Sequence, residues 1–174
     1  AAAGFGVSES RPWLMDFQRA LVAKTVERGR CALFASTGLG KTRMQLAWAD
    51  EVARHTGGRV LILAPLAVAQ QTEREAHSLG LARVKSCRTA AQMDGAHIVV
   101  TNYERLHHFD VRDFAGVVLD ESSCIKDFSA RTTGQLTEAF SNHRFRLCAT
   151  ATPAPNDFME LGTHAEFLGV CTRA

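Results

Sequence analysis

Short, solid apolar runs alternate along this chain with longer amphipathic ones. The solid runs are CALFAS (31–36), RVLILA (59–64), HIVVT (97–101), GVVLD (116–120) and FRLCAT (145–150). Their length and apolar continuity fit strands covered on both faces. Between the first two, KTRMQLAWADEVARHTGG places Met44, Leu46, Ala47, Trp48 and Val52 at helical spacing and ends on paired glycines, a helix with its stop. PLAVAQQTEREAHSLG and TTGQLTEAFSNH follow the same period. Ahead of the first strand, RPWLMDFQRALVAKTVERG sets Leu14, Phe17, Leu21, Val22 and Val26 on one stripe. Strand and helix repeated about five times predict an α/β domain: a mostly parallel central sheet flanked by helices on both faces. Residues 11–174 form this single domain, and residues 1–10 (AAAGFGVSES) lack a pattern and are expected to be a loose lead-in.

Composition narrows the picture only modestly. The 174 residues are 46% hydrophobic, enough for one proper core but not for two full domains. Twenty basic and 18 acidic residues leave a formal charge of +2, and the Lys and Arg are scattered, so a polyanion partner is permitted but not required. Cys31, Cys87, Cys124, Cys148 and Cys171 form no CxxC pair and read as buried, reduced thiols of a cytoplasmic protein. No signal peptide opens the chain and no apolar run approaches the ~20 residues of a membrane helix, so no membrane partner is expected.

The chemistry gathers where strands end, which is where ligands sit on an open parallel sheet. After the first strand comes Ala35, Ser36, Thr37, Gly38, Leu39, Gly40, Lys41 and Thr42. Its amides can wrap a phosphate chain, Gly38 and Gly40 permit close approach, and the following helix aims its positive end at the anion. Lys41 would reach the β and γ phosphates of ATP, and the Thr42 hydroxyl would ligate Mg²⁺. Ala35 stands where the consensus has its first glycine, so the chain must turn there in a conformation open to ordinary residues. After the GVVL strand, Asp120 supplies a carboxylate for the metal and Glu121 a second to orient or deprotonate the attacking water.

Together these residues resemble superfamily two helicases and translocases, and within them the Swi/Snf-type helicase-like ATPases, whose AxxGxGKT loop is matched at Ala35, Gly38, Gly40, Lys41 and Thr42. Phe17 and Gln18 are similar to the adenine-reading Q motif. VLILAPLAVAQQTEREA resembles the first nucleic-acid segment at Pro65, Gln71 and Glu75, with Thr72 where many members have tryptophan. IVVTNYERL resembles the second at Thr101, Tyr103 and Glu104. DESSCIKD matches DEAHxIKN at Asp120, Glu121, Ile125 and Lys126, but Ser122 and Ser123 replace Ala and His. ATATPAPNDFMELGTHAEFLG matches TGTPxxN and its trailing ExL and FL at Thr150, Thr152, Pro153, Asn156, Glu160, Leu161, Phe167 and Leu168.

The resemblance implies a RecA-like P-loop domain that binds ATP and Mg²⁺, with Gln18 and the loop from Ala35 to Thr42 holding nucleotide. Thr42 and Asp120 hold the metal, and Glu121, Asp120 and Lys41 are catalytic. Thr150 and Thr152 would couple the carboxylates to nucleotide state through their hydroxyls. Pro65, Gln71, Thr101, Tyr103 and Asn156 would line a sequence-blind nucleic-acid face, with double-stranded DNA the expected partner. A second RecA-like domain would supply an arginine finger, and the chain stops where the link to it would begin. The resemblance extends to bacteriophage and prophage members. The rivals are the motor of a restriction system and a non-catalytic domain that binds nucleotide only to dock a partner; Glu121 speaks against the second, since binding alone does not require it. His107 and His108 lack a metal-ligand spacing partner and read as surface residues, Trp48 reads as core, and Arg43 either approaches nucleotide or lies solvated.

Overall fold

The computed structural model describes residues 4–8, 11–122, 130–152 and 159–170. Six parallel strands form one sheet: β1 (Arg30–Phe34), β2 (Arg59–Ala64), β3 (Val84–Ser86), β4 (Ile98–Asn102), β5 (Phe114–Asp120) and β6 (Phe145–Thr150), in the order β1-β6-β5-β2-β4-β3. The helices are α1 (Asp16–Arg28), α2 (Lys41–Thr56), α3 (Ala69–Ser78), α4 (Ala130–Ala139) and α5 (Met159–Leu168). The β2 run shows why solid apolar strands were to be expected. Val60, Ile62 and Ala64 join a core with α1, α2 and α3, while Leu61 and Leu63 join a second core with Leu136, Phe140 and Phe167 on the opposite face. Successive side chains point to opposite faces, so both must be apolar when both faces are covered.

One expectation needs correction, and two features lie beyond what was expected. The α1 stripe buries Leu14, Val22 and Val26, but Phe17 is 42% exposed and Leu21 also faces outward; Gln18 and Thr25 take the inner positions. β3 was not expected, because Val-Lys-Ser at a sheet edge buries only its valine and offers no apolar run. The lead-in is anchored over residues 4–8. Phe5 stacks on His55 at 3.7 Å and meets Phe145 edge-on, while both the amide and hydroxyl of Ser8 donate to Glu51 Oε2 at 3.0 and 2.9 Å. Arg11 then pairs with Asp50 at 2.6 Å and with Glu51. Burial alone would raise the Glu51 pKa, but the bonds from Ser8 and Arg11 outweigh it and hold the carboxyl below its ordinary value.

The parallel order carries the site. β5 lies beside β6 with Asp120 opposite Ala149, and β6 lies beside β1 with Phe34 opposite Thr150. Three strand ends far apart in sequence therefore open onto one place.

Candidate nucleotide site

Ala35 answers the missing-glycine problem. It is buried, its amide donates to Thr150 O at 3.2 Å, and it continues the ladder of β1. The left-handed turns come later, at Gly38 (φ +84°) and Gly40 (φ +74°), so the first loop position needs no glycine. Gly40 caps α2, and a Cβ there would overlap the Gln18 amide nitrogen. Gln18 closes the loop from below: its Oε1 accepts from the Met15 amide at 2.9 Å and its Nε2 donates to Leu39 O at 2.9 Å. Ser36, Thr37, Gly38 and Leu39 are exposed and Thr42 is half-buried at the start of α2; the Leu39 amide is turned inward to Ser36 O at 3.3 Å, and the helix end beyond Gly40 suits an anion.

Opposite the loop stand the two carboxylates. Asp120 is 4% exposed; its Oδ1 accepts from Gln45 Nε2 at 2.6 Å and from the Glu121 amide at 3.0 Å. Burial pushes its pKa above the ordinary value, and neither the Gln45 bond nor the nearby Lys41 charge cancels that cost. A buried carboxylate with one oxygen fixed by two donors suits a cation at the other oxygen, with the Thr42 hydroxyl as a companion ligand. Glu121 is the one residue other than glycine with positive φ (49°) among those described. Its Oε1 pairs with Lys41 Nζ, and its Oε2 accepts from the Thr150 hydroxyl at 3.4 Å. The Thr152 amide in turn donates to Thr150 Oγ1 at 3.1 Å. Lys41, Glu121 and Thr150 thus form one array joining the start of α2 to the ends of β5 and β6.

The second polar surface lies at the ends of β2 and β4. Thr101, Asn102, Leu66, Gln70, Arg88 and Arg105 line a small cleft, beside which Thr101 Oγ1 and Asn102 Oδ1 are buried with no hydrogen-bond partner among the described residues. Pro65 borders this region and Gln71 is exposed beside it, so Gln70 rather than Gln71 lines the cleft. Tyr103 is turned elsewhere: its hydroxyl donates to Asp120 O at 2.8 Å, tying β4 to the carboxylate strand. Thr72 is buried, bonded to Val68 O at 3.1 Å. Asn102 falls inside the IVVTNYERL segment already read as nucleic-acid facing, whereas sequence reasoning passed over Arg88, which belongs to no motif and shows itself only as part of the basic rim of the cleft. Arg43 reaches Glu75 at 3.3 Å and Trp13 O at 3.5 Å, away from the loop. Trp48 is fully buried, and His107 and His108 lie exposed against each other. Among the described residues no His, Cys, Asp or Glu group could hold a metal by itself. Asn156, Pro153, Ser123, Ile125, Lys126, Cys124, Cys171 and the side chain of Glu160 lie outside the described residues.

A model of the DEAD/DEAH box helicases matches residues 15–161, from just before α1 into α5. The chain belongs to the DEAD/DEAH box helicase family. No curated protein sequence matches this helicase-family domain. Its fold, however, is that of solved helicases. The UvsW helicase of bacteriophage T4 superposes with a TM-score of 0.72 at 16% identity, covering 92% of this chain and 60% of that one. The Hef helicase domain of Pyrococcus furiosus gives 0.71 at 18%, covering 88% and 36%. The SWI2/SNF2 ATPase core of Sulfolobus solfataricus, solved in complex with double-stranded DNA, gives 0.69 at 20%, covering 95% and 36%. The chain spans 60% or less of the length of these three relatives, and the shared part is a RecA-like P-loop domain. Among the described residues no helix is long and apolar enough to cross a membrane.

Proposed function

We propose that this chain is the ATP-binding first motor domain of a superfamily two helicase or translocase that hydrolyses ATP with Mg²⁺ to move on nucleic acid. The observation that carries the reading is the array of Lys41, Glu121 and Thr150 facing the Gly38–Gly40 loop, with Asp120 buried beside it. Bound Mg²⁺ neutralises charge on the transferring phosphoryl group. The residues of the chain do the rest. Lys41 leaves Glu121 for the phosphates, which frees the Glu121 carboxylate to orient water. Thr150 holds the other carboxylate oxygen and fixes its direction, and the loop amides grip the triphosphate. Gln18, bonded to the loop from beneath, sets the loop position against which an adenine edge is read.

The nucleic acid lies across the Thr101–Asn102 cleft. Two buried polar groups with no partner among the described residues are costly unless a shift of the cleft lets a ligand satisfy them, and Arg88 and Arg105 at the rim suit backbone phosphates. Double-stranded DNA is the favoured substrate, and a Swi/Snf-like motor of phage or prophage type is the favoured setting. A second RecA-like domain supplies the arginine finger, worth on the order of 10³ to 10⁵ in rate. Buried free thiols at Cys87 and Cys148 suit a reducing cytoplasm.

Calorimetric titration with an ATP analogue and Mg²⁺, beside Lys41→Ala, tests the reading. Lys41-dependent binding with slow turnover fits a motor domain without its arginine; equal binding by Lys41→Ala would refute it.

A further inference from the structure

One buried polar contact beside the carboxylates is used by neither the nucleotide nor the nucleic-acid reading. His164 Nε2, on α5, lies 2.8 Å from Ser122 Oγ. Both residues are buried, at 4% and 1% exposure. A histidine and a serine placed in an interior cost free energy unless they satisfy each other, and two small apolar residues would fill the same space without that demand.

Ser122 directly follows Glu121, whose φ of 49° is a left-handed conformation that sterics disfavour for a residue with a Cβ. Such a backbone persists only when its surroundings hold it. On one side the Glu121 amide is bound to Asp120 Oδ1, and on the other the Ser122 side chain is bound to His164. The same imidazole stands edge-on to Phe34, with centroids 5.7 Å apart. Phe34 is the last residue of β1 and leads into the phosphate loop. A single α5 side chain therefore touches the residue entering the loop and the residue leaving the carboxylates. The far end of α5 is fixed separately, by Arg146 from β6, which donates to Phe167 O and lies over the Phe167 ring.

We propose that His164 is a positioning residue. Through Ser122 it holds the left-handed turn that presents the Glu121 carboxylate to Lys41 and Thr150, and it carries the nucleotide-driven movement of that turn into α5. When phosphate draws Lys41 away, Glu121 loses one of its two partners and its turn resettles. Ser122 moves with it, and His164 is the contact that α5 feels. This inference rests on the ATP-site reading above.

The test is a titration of the ¹⁵N-labelled chain with Mg²⁺ and a non-hydrolysable ATP analogue, followed by amide resonances in the phosphate loop and in α5. In the native chain the shifts at Gly162, Thr163, His164 and Ala165 are expected to saturate at the same ligand concentration as those at Gly38 to Lys41. In Ser122→Ala the loop shifts should remain, with affinity within about twofold, while the α5 shifts collapse. His164→Gln, whose amide can take the place of the ring nitrogen, should retain them, and His164→Leu should lose them. Should Ser122→Ala fail to fold, Ser122→Cys, close in volume but a weak hydrogen bonder, makes the same comparison. Full α5 shifts in Ser122→Ala and His164→Leu, or none in the native chain, would overturn the proposal. Absence of any Lys41-dependent loop shift would overturn the ATP-site reading itself.

Discussion

Replacing Gly40 by alanine probes the contact between the phosphate loop and α1. Gly40 sits at φ 74°, ψ 36°, where an added Cβ costs ~1–2 kcal/mol from backbone sterics alone. The same Cβ would overlap Gln18 Nε2, so the amide must leave. Its departure breaks the bonds to Leu39 O and from the Met15 amide, each worth about 1 kcal/mol. Gly40→Ala should therefore cost about 3–4 kcal/mol in the native background. Gln18→Ala costs about 2 kcal/mol by losing those same bonds. In the double variant the bonds are lost only once, and the total should fall about 2 kcal/mol short of the sum. Urea unfolding of the four proteins measures this cycle directly. Additivity within ~0.5 kcal/mol would mean that Gln18 does not support the loop, and the assignment of the loop floor would be wrong.

Further outcomes are expected elsewhere. Glu121→Gln removes the partner that holds Lys41 in the nucleotide-free chain; ATP-analogue affinity should stay equal or rise up to about fivefold, the worth of a partly exposed ion pair, while hydrolysis stops. Unchanged turnover would reassign the water-orienting group. Asp120 has its folded-state pKa raised by burial, so its charge destabilises the metal-free fold above that pKa, and the penalty is relieved as pH falls through it. Asp120→Asn should thus be more stable than the native chain at neutral pH, with the advantage vanishing in acid; a constant difference across pH would contradict it. Arg11→Ala removes the countercharge of Glu51, itself 1% exposed, but leaves its two bonds from Ser8, so the cost should fall below the roughly 3–5 kcal/mol of a buried charge left wholly unpaired, read as a fall in the urea midpoint. Gln18→Ala should also narrow the gap between ATP and GTP affinities, measured by competition.

Much of this arrangement was legible because the physics is local or periodic. The β2 and β6 runs coincide with their strands to the residue, since burial on both faces makes most positions apolar and the buried exceptions, Arg146 and Thr150, are held by hydrogen bonds. Lys41, Asp120, Glu121 and Thr150 were legible because a parallel sheet sends each strand end to one rim. What escaped was decided by single-position phase or by distant partners. Phe17 and Leu21 sit one residue off the buried line, and Gln18 took the inner position because its amide had the loop to bind. The residue 4–8 segment has no period, so its docking on His55 and Phe145 leaves no trace in its own pattern. Tyr103 fitted a ligand-facing role by motif, yet its hydroxyl reaches the Asp120 carbonyl across the sheet. His164 and Ser122 lie 42 residues apart, and nothing local to either names the other.

The sheet order has a consequence for synthesis. Among the described residues β1 pairs with β6 alone, so Arg30 meets Arg146 only after 116 further residues (146 − 30) have been made. At about 5–20 residues per second that is a wait of about 6–23 s on the ribosome. During that time β1 has α1 and α2 for cover but no neighbouring strand, and the phosphate loop has no Thr150 behind it. A nascent chain can therefore display the whole glycine-rich loop and still be unable to capture nucleotide. For the ATP site proposed above, capture of nucleotide is expected to follow the pairing of β6 with β1, so that binding reports completion of the sheet.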